Sequence, residues 1–287
     1  MDMLAQQIVN GLSAGMAYAL VALGLTLIFG ILHVINFAHG EFFMLGGFVA
    51  VLAAKWLGLP YLFSLPLAVA VVGAAAWGVD RIAVRSLVQR RDGLSDVLLS
   101  TYAFSLLLYH GTLGIWGPAP ARVEGFEGSF DLGPVTLTNQ RLFILAFGAA
   151  LIAGLQVMLT RTRFGRQMRA MAQSRFAAQV VGIDVAGIGT RAYVLAAAVA
   201  ALAGAMLAPV ILFSPLMGSN TVIKAFVVVV LGGMGSVAGA VVCGIGLGVL
   251  EALMSLYLSE GIASAVIYSL LIAMLLVRPQ GLFGKAA

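Results

Sequence analysis

The chain has 287 residues, of which 62% are hydrophobic and only 9% charged, with a formal net charge of +5 and a mean hydropathy of +1.07. Soluble domains carry about 25% charged residues, so this composition excludes a soluble enzyme, a disordered chain and a nucleic-acid-binding module. Apolar runs of eighteen or more residues recur without two-residue alternation, which excludes an outer-membrane barrel and leaves an all-α polytopic membrane protein.

A helix needs about 20 residues to cross a hydrocarbon core of ~30 Å. On that measure spans are predicted near 5–30, 40–58, 62–80, 94–115, 141–160, 191–212, 222–250 and 262–277. Eight spans are expected, eight to ten are compatible with the pattern, and no interval leaves room for a soluble domain, so residues 1–287 read as a single membrane domain. The first run has no basic leader, carries Asp2 and stays apolar to Ile35. It is longer than the 7–15 apolar residues of a signal peptide and reads as a retained membrane segment.

Between the first two spans lies a polar island, with His33, Asn36, His39 and Glu41. An ionisable group at membrane depth costs ~2.5–3.5 kcal/mol on insertion scales and generally faces a cavity or a partner. Asn36, His39 and Glu41 are therefore candidate site residues. The competing reading is a short interfacial turn with Glu41 near a helix N-terminus, where the macrodipole favours it. A metal site is the weaker reading, because His33 and His39 are six residues apart, whereas helical ligand pairs are three or four apart. His110, alone in an apolar run, reads as a packed histidine. Lys55 beside Trp56 reads as a span-end anchor.

Twelve of the 16 Lys and Arg fall in three clusters: Arg81, Arg85, Arg90 and Arg91; Arg161, Arg163, Arg166, Arg169, Arg175 and Arg191; Arg278 and Lys285. The positive-inside rule puts these in the cytoplasm. The 117–140 insert, with Glu124, Glu127 and Asp131 against Arg122, is expected outside as a periplasmic loop. The 161–190 segment is expected as a cytoplasmic loop, with a short helix from Ala170 to Val181 ending at Gly182 as its C-cap.

Parity then demands one more crossing, since eight spans would leave Arg278 and Lys285 outside. The expectation is that 222–250 is broken at Gly232-Gly233-Met234-Gly235-Ser236, because glycine permits non-helical backbone. A comparable interruption follows the first span, and paired interruptions point to an inverted repeat with discontinuous spans, as in transporters. Lys224 and Glu251 flank the broken span as isolated charges, Glu251 either lining a polar path or capping the external end. Small residues four apart, Gly11 and Gly15, Gly235 and Gly239, and Ala240, Gly244 and Gly248, predict close helix packing. Cys243, the single cysteine, is expected only to pack. No phosphate-binding GxxxxGK[ST] sequence occurs, so ATP would have to be bound by another subunit, and no cofactor is expected in this chain.

Four blocks, NFAHGEF at 36–42, RTRFGRQMRAMAQ at 161–173 followed by VGI at 181–183, VLGGMGSVAGA at 230–240 and RPQGLFG at 278–284, together resemble the branched-chain amino-acid ABC-transporter permeases of the LivH type. The resemblance implies a non-enzymatic permease subunit of an inner-membrane importer, working with a second related permease, two cytoplasmic ATP-binding subunits and a periplasmic solute-binding protein. It further implies a coupling helix of pattern EAAxxxG. Phe176-Ala177-Ala178-Gln179-Val180-Val181-Gly182 matches its alanines and glycine, with Arg175 preceding, but Phe176 stands where the pattern has glutamate. The expected solute path uses Asn36, His39, Glu41 and Thr101 with the backbone of Gly232, Gly233, Gly235 and Ser236. The expected solute is a branched-chain or related hydrophobic amino acid; an amide or a small aromatic acid would also pass. The alternatives are an ion-coupled secondary carrier and an amide or urea channel.

Overall fold

The computed structural model describes residues 2–32, 34–88, 93–133 and 135–284. His33, Arg90, Arg91 and Lys285 lie outside them. The helices are α1 (Asp2–Leu32), α2 (His39–Leu57), α3 (Tyr61–Val79), α4 (Gly93–Trp116), α5 (Asn139–Arg161), α6 (Arg163–Gln173), α7 (Arg175–Val180), α8 (Val185–Leu207), α9 (Met217–Gly232), α10 (Val237–Met254) and α11 (Glu260–Val277). A π-helical turn (Asp80–Val84) continues α3, and two short antiparallel strands, β1 (Ser129–Leu132) and β2 (Val135–Thr138), form a hairpin before α5. Seven of the described helices are long and apolar enough to cross a membrane; α9 and the 261–277 stretch of α11 are shorter apolar helices.

The predicted 222–250 span is two helices, α9 and α10, separated at the predicted glycines. Gly233 (φ 93°) and Gly235 (φ 88°) adopt backbone that L side chains rarely take. The chain reverses there: a Cβ on Gly232 would come 2.5 Å from the Gly239 carbonyl carbon. The C-terminal tail seals this hairpin, with the Leu282 N–H donating to the Leu231 carbonyl (2.8 Å) and the Phe283 N–H to the Gly232 carbonyl (3.2 Å).

Two of the three predicted small-residue stripes meet each other. Gly11 faces Gly248 and Val249, and Gly15 faces Gly244 and Ile245, with a hypothetical Cβ on Gly15 at 2.8 Å from the Ile245 Cα. α1 and α10 thus run antiparallel in near backbone contact, the packing that lipid-embedded helices use where burial from water gives no drive.

These contacts sort the chain into two ends. At one, Gln6 exchanges hydrogen bonds with the Thr136 backbone of the hairpin (2.9 and 3.1 Å). At the other, the end of α1, the α5–α6 corner and the 234–238 turn wall one cavity of about 560 Å³. The predicted helix from Ala170 to Val181 is instead two helices. Ser174 separates them with extended backbone (φ −159°, ψ 114°), and its hydroxyl caps α7 by accepting from Ala177 N–H (3.2 Å). α6 is amphipathic: Gly165, Met168 and Met171 are buried while Arg163, Arg166 and Arg169 are exposed, a pattern suited to lying along a membrane surface. Gly182 closes α7 at φ 83°, as expected of a C-terminal glycine.

Candidate functional site

α1 ends at Leu32, yet α2 does not begin there. The chain turns back into the bundle, and His39, the first residue of α2, places its ring against Gly24 and its Nε2 3.0 Å from the Val21 carbonyl. That level is 8–11 residues before the end of α1, roughly 12–16 Å inside at 1.5 Å per residue. The interfacial-turn reading of the polar island is therefore replaced by a buried one: Asn36, His39 and Glu41 are each 0% exposed.

Each side chain has a defined task. Asn36 accepts the Ala38 N–H at Oδ1 (3.1 Å) and donates from Nδ2 to the Tyr193 hydroxyl (3.0 Å), forming the turn that starts α2 and tying it to α8. With Val21 C=O as acceptor, His39 carries its proton on Nε2. Thr101 on α4 accepts the Phe37 N–H at Oγ1 (3.4 Å). One carboxylate oxygen of Glu41 accepts the hydroxyls of Ser105 (3.1 Å) and Ser219 (3.4 Å), and the other makes no hydrogen bond within the protein.

The partner of this turn is in the second half, at 214–219 and not at 232–236. Ala38 (φ −70°, ψ −7°) and Leu216 (φ −68°, ψ −13°) precede α2 and α9 with matching backbone. His39 N–H bonds to Asn36 C=O (3.3 Å) as Met217 N–H bonds to Ser214 C=O (3.1 Å). The two half-depth helices start against each other: a Cβ on Gly40 would strike the Gly218 carbonyl, and one on Gly218 would strike the Glu41 carboxylate. α1 runs from the hairpin end to the basic end and α2 returns; α8 runs the other way and α9 returns. This is an inverted repeat, with two helix N-termini and their positive dipole ends converging on Glu41.

Ser105, Tyr193, Gly218 and Ser219 were not singled out by the sequence reading. Thr101, Ser105 and Thr112 share one face of α4 and are all buried, whereas Leu99, Tyr102 and Leu107 on the other face are exposed; that inside-out polar stripe was the available signal. Gly232, Gly233, Gly235 and Ser236 are not brought to Glu41. They form the α9–α10 turn at the basic end, where Ser236 caps α10 through Gly239 N–H (3.1 Å). His110 is exposed on α4, its ring edge-on to Tyr109, instead of packed inside.

Lys224 and Glu251 are not isolated charges. Lys224 Nζ lies 2.5 Å from Glu251 Oε1 and 3.2 Å from the Tyr18 hydroxyl, joining α9, α10 and α1. Such pairing is the usual condition for keeping charges among apolar helices.

At the basic end the predicted coupling residues separate by role. Phe176, Val180 and Val181 are 77%, 71% and 74% exposed, Ala177 is exposed and Ala178 is buried as the anchor of α7. Arg175 turns inward, and its guanidinium caps the last carbonyls of α1, those of Ile31 and Leu32. Partial burial draws its pKa below the ordinary guanidinium value. The apolar face of α7 is thus exposed on a turn joined through the Arg175 guanidinium to α1, the helix whose end feeds into Asn36.

Comparison with known proteins agrees with this architecture. The family described as branched-chain amino acid transport system, permease component, matches residues 7–276. The chain is 33% identical to the high-affinity branched-chain amino acid transport system permease protein LivH of Escherichia coli K12, over 98% of this chain and 95% of that one. It is 32% identical to BraD of Pseudomonas aeruginosa, a permease of the same description, with the same coverage. It is 27% identical to LivM of Salmonella typhimurium, over 93% of this chain and 68% of that one. No solved structure matches it significantly. With a family match over nearly its whole length and a bundle of apolar helices built as an inverted repeat, the chain is a multi-pass membrane protein belonging to the branched-chain amino acid transport permease family.

Proposed function

We propose that the chain is a permease subunit of an ABC importer that moves branched-chain or related hydrophobic amino acids across the bacterial inner membrane. The observation that carries the reading is the full-length relation to permeases so described, in a chain whose exposed apolar turn, α7, is tied by Arg175 to the helix entering the buried polar site. The basic end is cytoplasmic by the positive-inside rule, which puts the β-hairpin in the periplasm and Arg278 inside. LivH and LivM are both permeases of one transport system and both are similar to this chain, which supports pairing with a second related permease. Two ATP-binding subunits dock, one at α7 of this chain and one at the corresponding turn of the second permease, and a solute-binding protein delivers cargo at the hairpin end.

In this reading Asn36, His39, Glu41 and Thr101 are the gate of the path. Closure of the ATPases pushes α7, Arg175 transmits the push to the end of α1, and the turn at Asn36–Ala38 shifts the paired starts of α2 and α9. The remote glycines at 232–236 lie outside this gate and form the packed turn between α9 and α10.

The test is reconstitution of the chain with its partner subunits and binding protein in liposomes, assayed for leucine, benzoate and urea uptake. ATP-dependent leucine uptake is expected. Uptake by this chain alone, driven by an ion gradient or running only downhill, would overturn the proposal in favour of a secondary carrier or a channel.

A further inference from the structure

A second polar cavity lies at the basic end, about 630 Å³, between the π-helical turn, the end of α1 and the α7–α8 connection. That size is within the range of small-molecule sites. Its walls carry both signs of charge. Asp80 is only 2% exposed, and its Oδ2 accepts the Thr190 hydroxyl at 2.6 Å. Arg85 follows one π-turn later, its N–H on the Asp80 carbonyl at 2.7 Å, and lines the same space. Arg175 lines it from the opposite side, with a buried Nε that makes no hydrogen bond within the protein.

The two signs face the cavity without closing on each other. Among the described residues the one ion pair within 4.0 Å is Lys224–Glu251; Asp80 feels the charges of Arg85 and Arg81 at longer range but is in direct contact with neither, nor with Arg175. The other acid in the wall, Asp184, is occupied in capping α8 through Gly187 N–H (2.9 Å). Apolar Leu32, Val84 and Val88 complete the lining. A π-turn is rare in helices and is found frequently at functional sites.

A carboxylate and two guanidiniums set apart around an aliphatic floor match a ligand carrying both an ammonium and a carboxylate on one carbon. We infer that this cavity binds a zwitterionic α-amino acid with a branched aliphatic side chain, its ammonium at Asp80 and its carboxylate at Arg85 and Arg175. The identity of the ligand rests on the transport reading above. Bound there, the amino acid bridges the π-turn of α3 to α7. It holds the coupling turn in place, and accumulated product on the inner side slows further transport.

The test uses the full transporter complex without its binding protein, and equilibrium binding of L-leucine, 4-methylpentanoate and isoamylamine, which share the side chain and α-carbon but offer both charges, the carboxylate alone and the ammonium alone. Leucine is expected to bind at least tenfold more tightly than either analogue, and Asp80→Asn and Arg85→Gln are each expected to weaken it at least tenfold. Leucine loaded inside vesicles is expected to slow uptake several-fold in the wild type and not in Arg85→Gln. Equal binding of the three compounds, or leucine binding unmoved by both substitutions, overturns the site. Should Asp80→Asn fail to assemble, the partly exposed Arg85 carries the same test. If the wild type takes up leucine and the substitutions change nothing, the site falls and the transport reading stands; absence of any leucine uptake by the wild type strikes the transport reading instead.

Discussion

The carboxylate of Glu41, in the first turn of α2, lies directly over the backbone of Gly218, in the first turn of α9. A Cβ at 218 would push that carboxylate aside, so the Glu41 side chain keeps its place on Ser105 and Ser219 while position 218 remains glycine.

Gly218→Ala is therefore expected to lower both stability and transport. The added methyl must displace the Glu41 side chain or part the two helix starts, and overpacking of this kind costs about 1–3 kcal/mol. Thermal unfolding of the detergent-purified protein should shift down by several degrees, and leucine uptake should fall at least tenfold. Unchanged melting and unchanged uptake would show that the helices part at no cost.

Glu41→Gln retains an oxygen to accept from Ser105 and Ser219, whereas Glu41→Ala leaves both hydroxyls facing a void. A buried polar group deprived of its partner costs about 1–3 kcal/mol. The alanine variant should lose stability of that order, and the glutamine variant less than 1 kcal/mol, read from the same melting curves. Uptake should survive partly in the glutamine variant and be abolished in the alanine variant.

Arg175→Ala removes the cap on the end of α1 while leaving the exposed face of α7 intact. ATP hydrolysis by the assembled complex should persist within about twofold while uptake falls at least tenfold. Proportional loss of both would show that Arg175 serves only to fold the docking turn. Gly182→Val, which forces a branched side chain into backbone at φ 83°, should instead reduce both together by distorting α7 itself.

Lys224 and Glu251 supply a double-substitution test. Removing one partner leaves an uncompensated charge among apolar helices, an effect of about 3–5 kcal/mol for a fully buried pair. With side chains 12% and 20% exposed, the expected loss for Lys224→Met or Glu251→Met is smaller, about 2–3 kcal/mol, and the double substitution should recover most of it. Additive losses would mean the two charges act independently.

How much of this was legible in the sequence follows from what each feature needs. Spans are set by length and apolarity, so their positions are readable, as are the glycine break at 232–236 and the stripes at Gly11–Gly15 and Ala240–Gly248 that pack together. The polar island at Asn36–Glu41 stands out because ionisable groups are rare at depth. Its symmetry partner, Ser-Pro-Leu-Met-Gly-Ser at 214–219, carries no charge and shares with 36–41 only the glycine at its fifth position, so only the backbone reveals it. Lys224 and Glu251 are 27 residues apart across a chain reversal, and their pairing depends on how α9 and α10 fold against α1. Ser174 separates α6 from α7 because its hydroxyl prefers a cap to a helix interior, a local competition that the run of helix-forming residues around it obscured.

The outward turn of α4's apolar face has a mechanical corollary. In lipid, greasy contact gives neighbouring helices little reason to stay together, and interhelical hydrogen bonds contribute only about 0.6–2 kcal/mol each. α4 meets the bundle through two hydroxyls, Thr101 on the Phe37 amide and Ser105 on Glu41, and two ring contacts, Tyr102 with Phe37 and Trp116 with Phe48. A wall of the buried carboxylate is thus hung on a few discrete fastenings, each weak enough to be undone singly, like a door on bolts.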